Sequence, residues 1–192
     1  MISAFEYVTV LISIILGLGI TQILTGIADL IHQSKRVKIY GPHLLWVLIV
    51  LVLHVQEWWV TFDLRTFAPW RLPIFLFVMI YPIILFILAR LLFPFGIQEG
   101  IIDLKEFYYE NYRKIFLFGI VLSILALLDS ILIREEMGMD ELLPKLIVPS
   151  VLLIACVKRN MPEWAHHIIS IGFLMALTLT IIIQWNEWLL IN

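Results

Sequence analysis

The sequence predicts an all-α, polytopic membrane protein of about six transmembrane helices, and three observations carry that prediction. The first is composition. Of 192 residues, 62% are hydrophobic and 15% charged, with a mean hydropathy of +1.01, whereas a soluble domain carries roughly a quarter charged residues and under half apolar ones. That apolar excess is too large to hide inside one globule, so lipid must be part of the solvent. The second is continuity. The apolar residues come in long unbroken runs, not in the short alternating segments of a barrel, and a helix needs about 20 of them to cross the hydrocarbon core. The third is an uneven distribution of Lys and Arg between the connections.

Six runs qualify as spans of a single transmembrane domain over 1–192: about 5–31, 43–62, 72–93, 115–133, 142–157 and 164–190. The first lacks the basic flank of a cleavable signal and continues to full spanning length. It carries Thr9, Ser13, Gly17, Thr21, Thr25 and Asp29 at intervals of four. Small residues at that spacing let two helices approach closely in lipid, so Thr9, Ser13, Gly17, Thr21 and Thr25 are expected to form a packing face, within the chain or between copies of a homo-oligomer. Gly17-Leu-Gly19 lacks the strand and later glycine of a phosphate loop.

The second and sixth runs resemble each other locally, in His54-Val-Gln-Glu-Trp and Gln184-Trp-Asn-Glu-Trp, a weak sign of a duplicated hairpin. The fifth is the doubtful span. It contains Lys145, Pro144 and Pro149, and its charge-free part, 146–157, is closer to a re-entrant segment. Charge decides in favour of crossing. With six spans, the odd-numbered connections hold Lys35, Arg36, Lys38, Arg90, Lys105, Arg113, Lys114, Lys158 and Arg159, nine of the 13 basic residues. Only Arg65, Arg71, Arg134 and Lys145 fall on the other side. The positive-inside rule then puts both termini outside. The expected compartment is a bacterial inner (plasma) membrane.

The longest connection reads as an interfacial amphipathic segment over about 97–113. Ile101, Leu104, Phe107, Tyr108 and Tyr112 recur at helical spacing opposite Asp103, Glu106, Glu110 and Arg113. It would tether two spans along the cytoplasmic surface, or dock a cytoplasmic partner. The single cysteine, Cys156, excludes an internal disulfide, and no basic patch outside the membrane flanks suggests nucleic acid.

Charged groups inside a span cost a few kcal/mol each, so they face protein or water and mark candidate sites. The expected ion- or ligand-binding set is His54, Glu57, Trp58, Asp129, Gln184 and Glu187, all in the outer half of the second, fourth and sixth spans under this topology. The leading expectation is a cation or proton channel or transporter with an acidic, aromatic-lined outer cavity. Pro82 and Pro149 would supply the broken helices common at transport sites. A sensor or partner-recruiting subunit is the alternative. A third class is redox: His54 and Glu57 could begin a metal site, and His43 with His54 could face a haem, although no further motif closes either shell and no cofactor is predicted. No nucleophile elbow or Ser–His–Asp order points to a hydrolase.

Overall fold

The computed structural model describes residues 3–94, 100–134, 138–158 and 161–183, with the backbone alone for 139–144. The described residues form six α-helices: α1 (Ala4–His32), α2 (Gly41–Val60), α3 (Leu72–Leu91), α4 (Leu104–Leu132), α5 (Met139–Val157) and α6 (Glu163–Ile183). Five of them, all but α5, are long and apolar enough to cross a membrane. The chain is an all-α, multi-pass integral membrane protein.

Local sequence sets the helix ends. Ser3 and Glu6 form a reciprocal capping box at the start of α1, with Ser3 Oγ accepting from the Glu6 N–H at 3.1 Å and Glu6 Oε2 from the Ser3 N–H at 2.8 Å. Glu6 therefore caps a helix. Asp103 caps α4 by accepting from the Lys105 and Glu106 N–H groups at 3.0 and 3.3 Å. Pro42 and Pro73 occupy first-turn positions of α2 and α3, where no N–H is missed.

Three differences from the sequence reading have physical causes. The interfacial segment is not a separate element. From Leu104 onward it is the first three turns of α4, which runs unbroken for 29 residues, while 97–99 lie outside the described residues. Its apolar face does not lie on lipid, because Leu104, Tyr108 and Tyr112 are buried inside the protein. Pro82 and Pro149 do not break their helices. In lipid a single lost N–H costs less than unwinding a turn and exposing several backbone groups. Finally, α5 is a continuous helix of 19 residues, although its apolar part, Lys145–Val157, is short.

The contacts divide the bundle into two ends. At one, two-residue strands β1 (Val37–Lys38) and β2 (Ile102–Asp103) pair in parallel, and Lys38 and Lys105 form ion pairs with Asp103 and Glu163 at 3.4 and 2.8 Å. The first, third and fifth connections thus meet at a basic end. At the other, Asp63 in the turn after α2 is paired with Arg134 after α4, and Phe5 of α1 packs on Phe62. Helix α5 runs antiparallel to α4: Cys156 Sγ meets the Arg113 carbonyl and Lys145 Nζ meets Ser130 Oγ. All six helices therefore alternate in direction.

Helix α2 is central, touching α1, α3, α4 and α6, while α1 also packs on α3 and α4 on α5. Lipid removes most of the hydrophobic drive between helices, leaving close packing and polar contacts to hold them. The seam of α1 is Val8, Ile12, Leu16, Gly19, Ile23 and Gly26. A Cβ on Gly19 would fall on the His54 ring, and one on Gly26 would fall on the Phe93 ring. These two glycines, seven residues apart, set how near α1 comes to its neighbours.

Candidate functional site

At the acidic end two carboxylates pair with one guanidinium, and a third lies within its electrostatic reach. The last turn of α4 closes with the Ile133 and Arg134 N–H groups both donating to the Asp129 carbonyl, at 2.9 and 3.2 Å. That fold-back brings the Arg134 side chain onto the carboxylate of the same residue, Nε to Asp129 Oδ2 at 3.0 Å. A cation at a helix C-terminus is favoured by the exposed carbonyls there. The Arg134 Nη1 donates to Asp63 Oδ2, also at 3.0 Å. Burial works against the Arg134 charge, but the hydrogen bonds to Asp63 and Asp129 outweigh it and hold the guanidinium above its already high usual range. Glu57, one turn inside α2, lies within electrostatic reach of Asp129 and Arg134, and Tyr81 of α3 within reach of Glu57 and Asp129.

An open cavity of about 380 Å³ lies against this cluster, lined by Asp63, Leu64, Thr66, Phe67, Ala68, Ile133 and Arg134. The Asp63–Arg134 pair thus stands at its wall, and Asp129 is the second anchor of the same arginine.

Of the expected site residues, Glu57 and Asp129 share this cluster. His54, on the same helix, turns toward α1 instead. It is fully buried, its Nδ1 is 2.7 Å from the Val50 carbonyl, and its ring lies over Gly19. Trp58 projects outward, 51% exposed, and does not line the cavity. Gln184 and Glu187 lie outside the described residues. So does the expected likeness between the second and sixth spans, at its sixth-span half.

His54 and Glu57 gain no third ligand among the described residues. Among the described residues no three His, Cys, Asp or Glu side chains gather as a metal would require. His43 packs edge-on against Phe107 and Tyr108 and His54 against Gly19, so the two imidazoles do not look onto a shared open face.

The ladder on α1 is not the face buried within the chain. Gly17, Thr21 and Thr25 are exposed, Thr9 and Ser13 half-buried, and a Cβ on Gly17 would meet nothing within 4 Å. The buried seam lies beside the ladder, so contact between copies is the part of that expectation still to be tested.

Three features escaped the sequence reading. Arg134 entered it only as a charge on the minority side, although its place five residues after Asp129 at a helix end was visible. Lys145, which made the fifth span doubtful, finds Ser130 Oγ of α4 at 2.6 Å. At the basic end, His166 of α6 sits among Tyr108, Tyr109 and Tyr112 of α4, with ring centroids 4.9–5.4 Å away, and Nδ1 3.1 Å from the Tyr108 hydroxyl. The tyrosines repeat at helical spacing, but nothing in their pattern named His166 as the partner.

Comparison with family models, curated proteins and solved structures gives no match. The site must therefore be interpreted by its chemistry. Among the described residues the cavity wall carries the ion pair of Asp63 and Arg134, and Asp129 and Glu57 lie behind it as further carboxylates within electrostatic reach of that arginine.

Proposed function

We propose that this multi-pass membrane protein moves a small cation or a proton across the bilayer, taking it up at the acidic end. One observation carries the reading: Arg134 pairs with both Asp63 and Asp129, with Glu57 within its electrostatic reach, beside an open cavity that Asp63 and Arg134 line. Simple packing gives no reason to hold an excess of carboxylates at the edge of lipid, where each costs a few kcal/mol. A cavity bounded by acids and low-dielectric walls raises the local concentration of cations. Arg134 occupies the place of a countercharge, so an arriving cation competes with it for Asp63 and Asp129.

Reconstitution in liposomes tests this directly. Wild type should pass protons or an alkali cation down a gradient, and Glu57→Gln or Asp129→Asn should abolish the flux while leaving a folded, monodisperse protein. Unchanged flux in both variants, or none in wild type, removes the reading.

A further inference from the structure

The acidic cluster leaves open which cation would pass, and a second buried group bears on that. His54 is fully enclosed at the centre of α2. Its Nδ1 lies 2.7 Å from the Val50 carbonyl, an acceptor only, so Nδ1 carries the ring hydrogen. Nε2 is then a bare lone pair, and among the described residues it has no hydrogen-bond partner although it is buried. Leaving such an acceptor unsatisfied is costly, and the chain gives up a side chain to allow it, since a Cβ on Gly19 would overlap Nε2 and Cδ2.

We infer that His54 Nε2 is a proton acceptor within the membrane, that Gly19 is the residue positioning it, and that the transported species is the proton. The inference rests on the transport reading above and narrows it. Nε2 faces α1 at Gly19, and the buried face of that helix carries no titratable group. Glu57 lies one turn outward on α2, within electrostatic reach of Tyr81 of α3 and Asp129 of α4, and among the described residues no charged group acts on the His54 ring itself. Nothing at Nε2 replaces the several oxygens that Na⁺ or K⁺ needs when it sheds water. A proton needs one lone pair. In the step, a carboxylic acid or hydronium on the outer side loses its O–H, and Nε2 gains an N–H. The ring becomes imidazolium with Nδ1–H still held by Val50, and transfer of the Nε2 proton to a water molecule on the inner side, which becomes hydronium, restores the neutral ring.

Liposomes loaded with a pH dye, and in parallel with radioactive Na⁺ or K⁺, separate the outcomes. The inference expects proton flux without alkali-cation flux, reduced at least about ten-fold in His54→Gln and in Gly19→Ala. Alkali cations passing as fast as protons, or His54→Gln at wild-type rate, overturn it and leave the transport reading standing. No flux of any ion sinks that reading, and this one with it. Nitrogen NMR of histidine-labelled wild type in bilayers needs no variant: the Nε2 signal should move to the protonated position as pH falls from 8 to 5, and a signal that stays fixed overturns the inference.

Discussion

Arg134 grips two acids from different parts of the chain with different nitrogens, Nε on Asp129 and Nη1 on Asp63, each at 3.0 Å. One residue thereby ties the end of α4 to the turn after α2. The side chains of Arg134 and Asp129 are only 27% and 29% exposed, so solvent screens this pair less than a surface ion pair. Arg134→Gln should lower stability by about 2 kcal/mol, the scale of a hydrogen bond to a charged group. Arg134→Lys should recover part of that at most, because a single ammonium cannot reproduce the two-sided grip of a planar guanidinium. Denaturant titration in mixed micelles checks both, and a lysine variant as stable as wild type would contradict the geometry.

The glycines of α1 make opposite predictions. Gly19→Ala and Gly26→Ala push a methyl group into the His54 and Phe93 rings and should each cost about 1–3 kcal/mol. Gly17→Ala meets open space and should be neutral or stabilise by up to about 1 kcal/mol, the usual gain of alanine in a helix interior. The same titration reads all three. If Gly17→Ala instead converts an oligomer to monomers by size-exclusion light scattering, the exposed ladder is a contact between copies.

That contrast shows where the sequence could be read and where it could not. Run length and charge placement identify the helices, because the bilayer imposes a length and the connections carry the charge. They also single out Glu57 and Asp129, since an acid in a span stands out. What one helix presents to another is not written in its own pattern. Gly17 looks like a packing glycine by its four-residue spacing with Ser13 and Thr21, yet the protein uses Gly19 and Gly26, whose partners His54 and Phe93 are distant in sequence. The unbroken α4 was hidden for a related reason. Its first turns look surface-bound because they are amphipathic, but the apolar side is taken up by β1, α2 and α6 and by Tyr40 between β1 and α2, which packs on Tyr108.

Tyr108 and Tyr109 separate a hydrogen bond from a near miss. The Tyr108 hydroxyl meets His166 Nδ1 at 3.1 Å inside the protein, whereas the Tyr40 and Tyr109 hydroxyls are 3.5 Å apart. Tyr108→Phe leaves a buried ring nitrogen without its partner and should cost about 1–3 kcal/mol. Tyr109→Phe should cost less than about 1 kcal/mol. Equal losses on thermal unfolding in detergent would assign the cluster to ring packing alone.

Asp103 links the connection before α4 to acid stability. Its carboxylate accepts from the Glu106 and Lys105 N–H groups and faces Lys38, and these hold it below the usual aspartate range. A carboxylate with a depressed folded pKa contributes stability that is fully present above its unfolded pKa and is lost as pH falls through the folded value. The loss should therefore develop below about pH 4. Asp103→Asn keeps a capping oxygen and should flatten that acid limb with little change at pH 7. Asp103→Ala loses the cap and should be less stable throughout. Unfolding measured from pH 7 to 3 distinguishes them, and an unchanged acid limb in Asp103→Asn would remove Asp103 as its source.

The doubtful fifth helix allows the sharpest test of the architecture. Its apolar stretch is short, but Lys145 reaches Ser130 near the C-terminal end of α4 and Cys156 reaches Arg113 nearly three turns in from its start. A separation of 17 positions on α4 corresponds to about 26 Å at 1.5 Å per residue, close to the hydrocarbon thickness. If α5 crosses, Lys158 lies on the same side as Lys35, and Thr66 and Gly138 lie on the other; all four are exposed. Single cysteines at these positions in a Cys156→Ala background, treated with a membrane-impermeant maleimide, read the sides directly. Right-side-out vesicles should label positions 66 and 138, and inverted vesicles positions 35 and 158. Position 158 labelling together with 66 would make α5 re-entrant, leave an odd number of crossings and move α6 to the opposite direction.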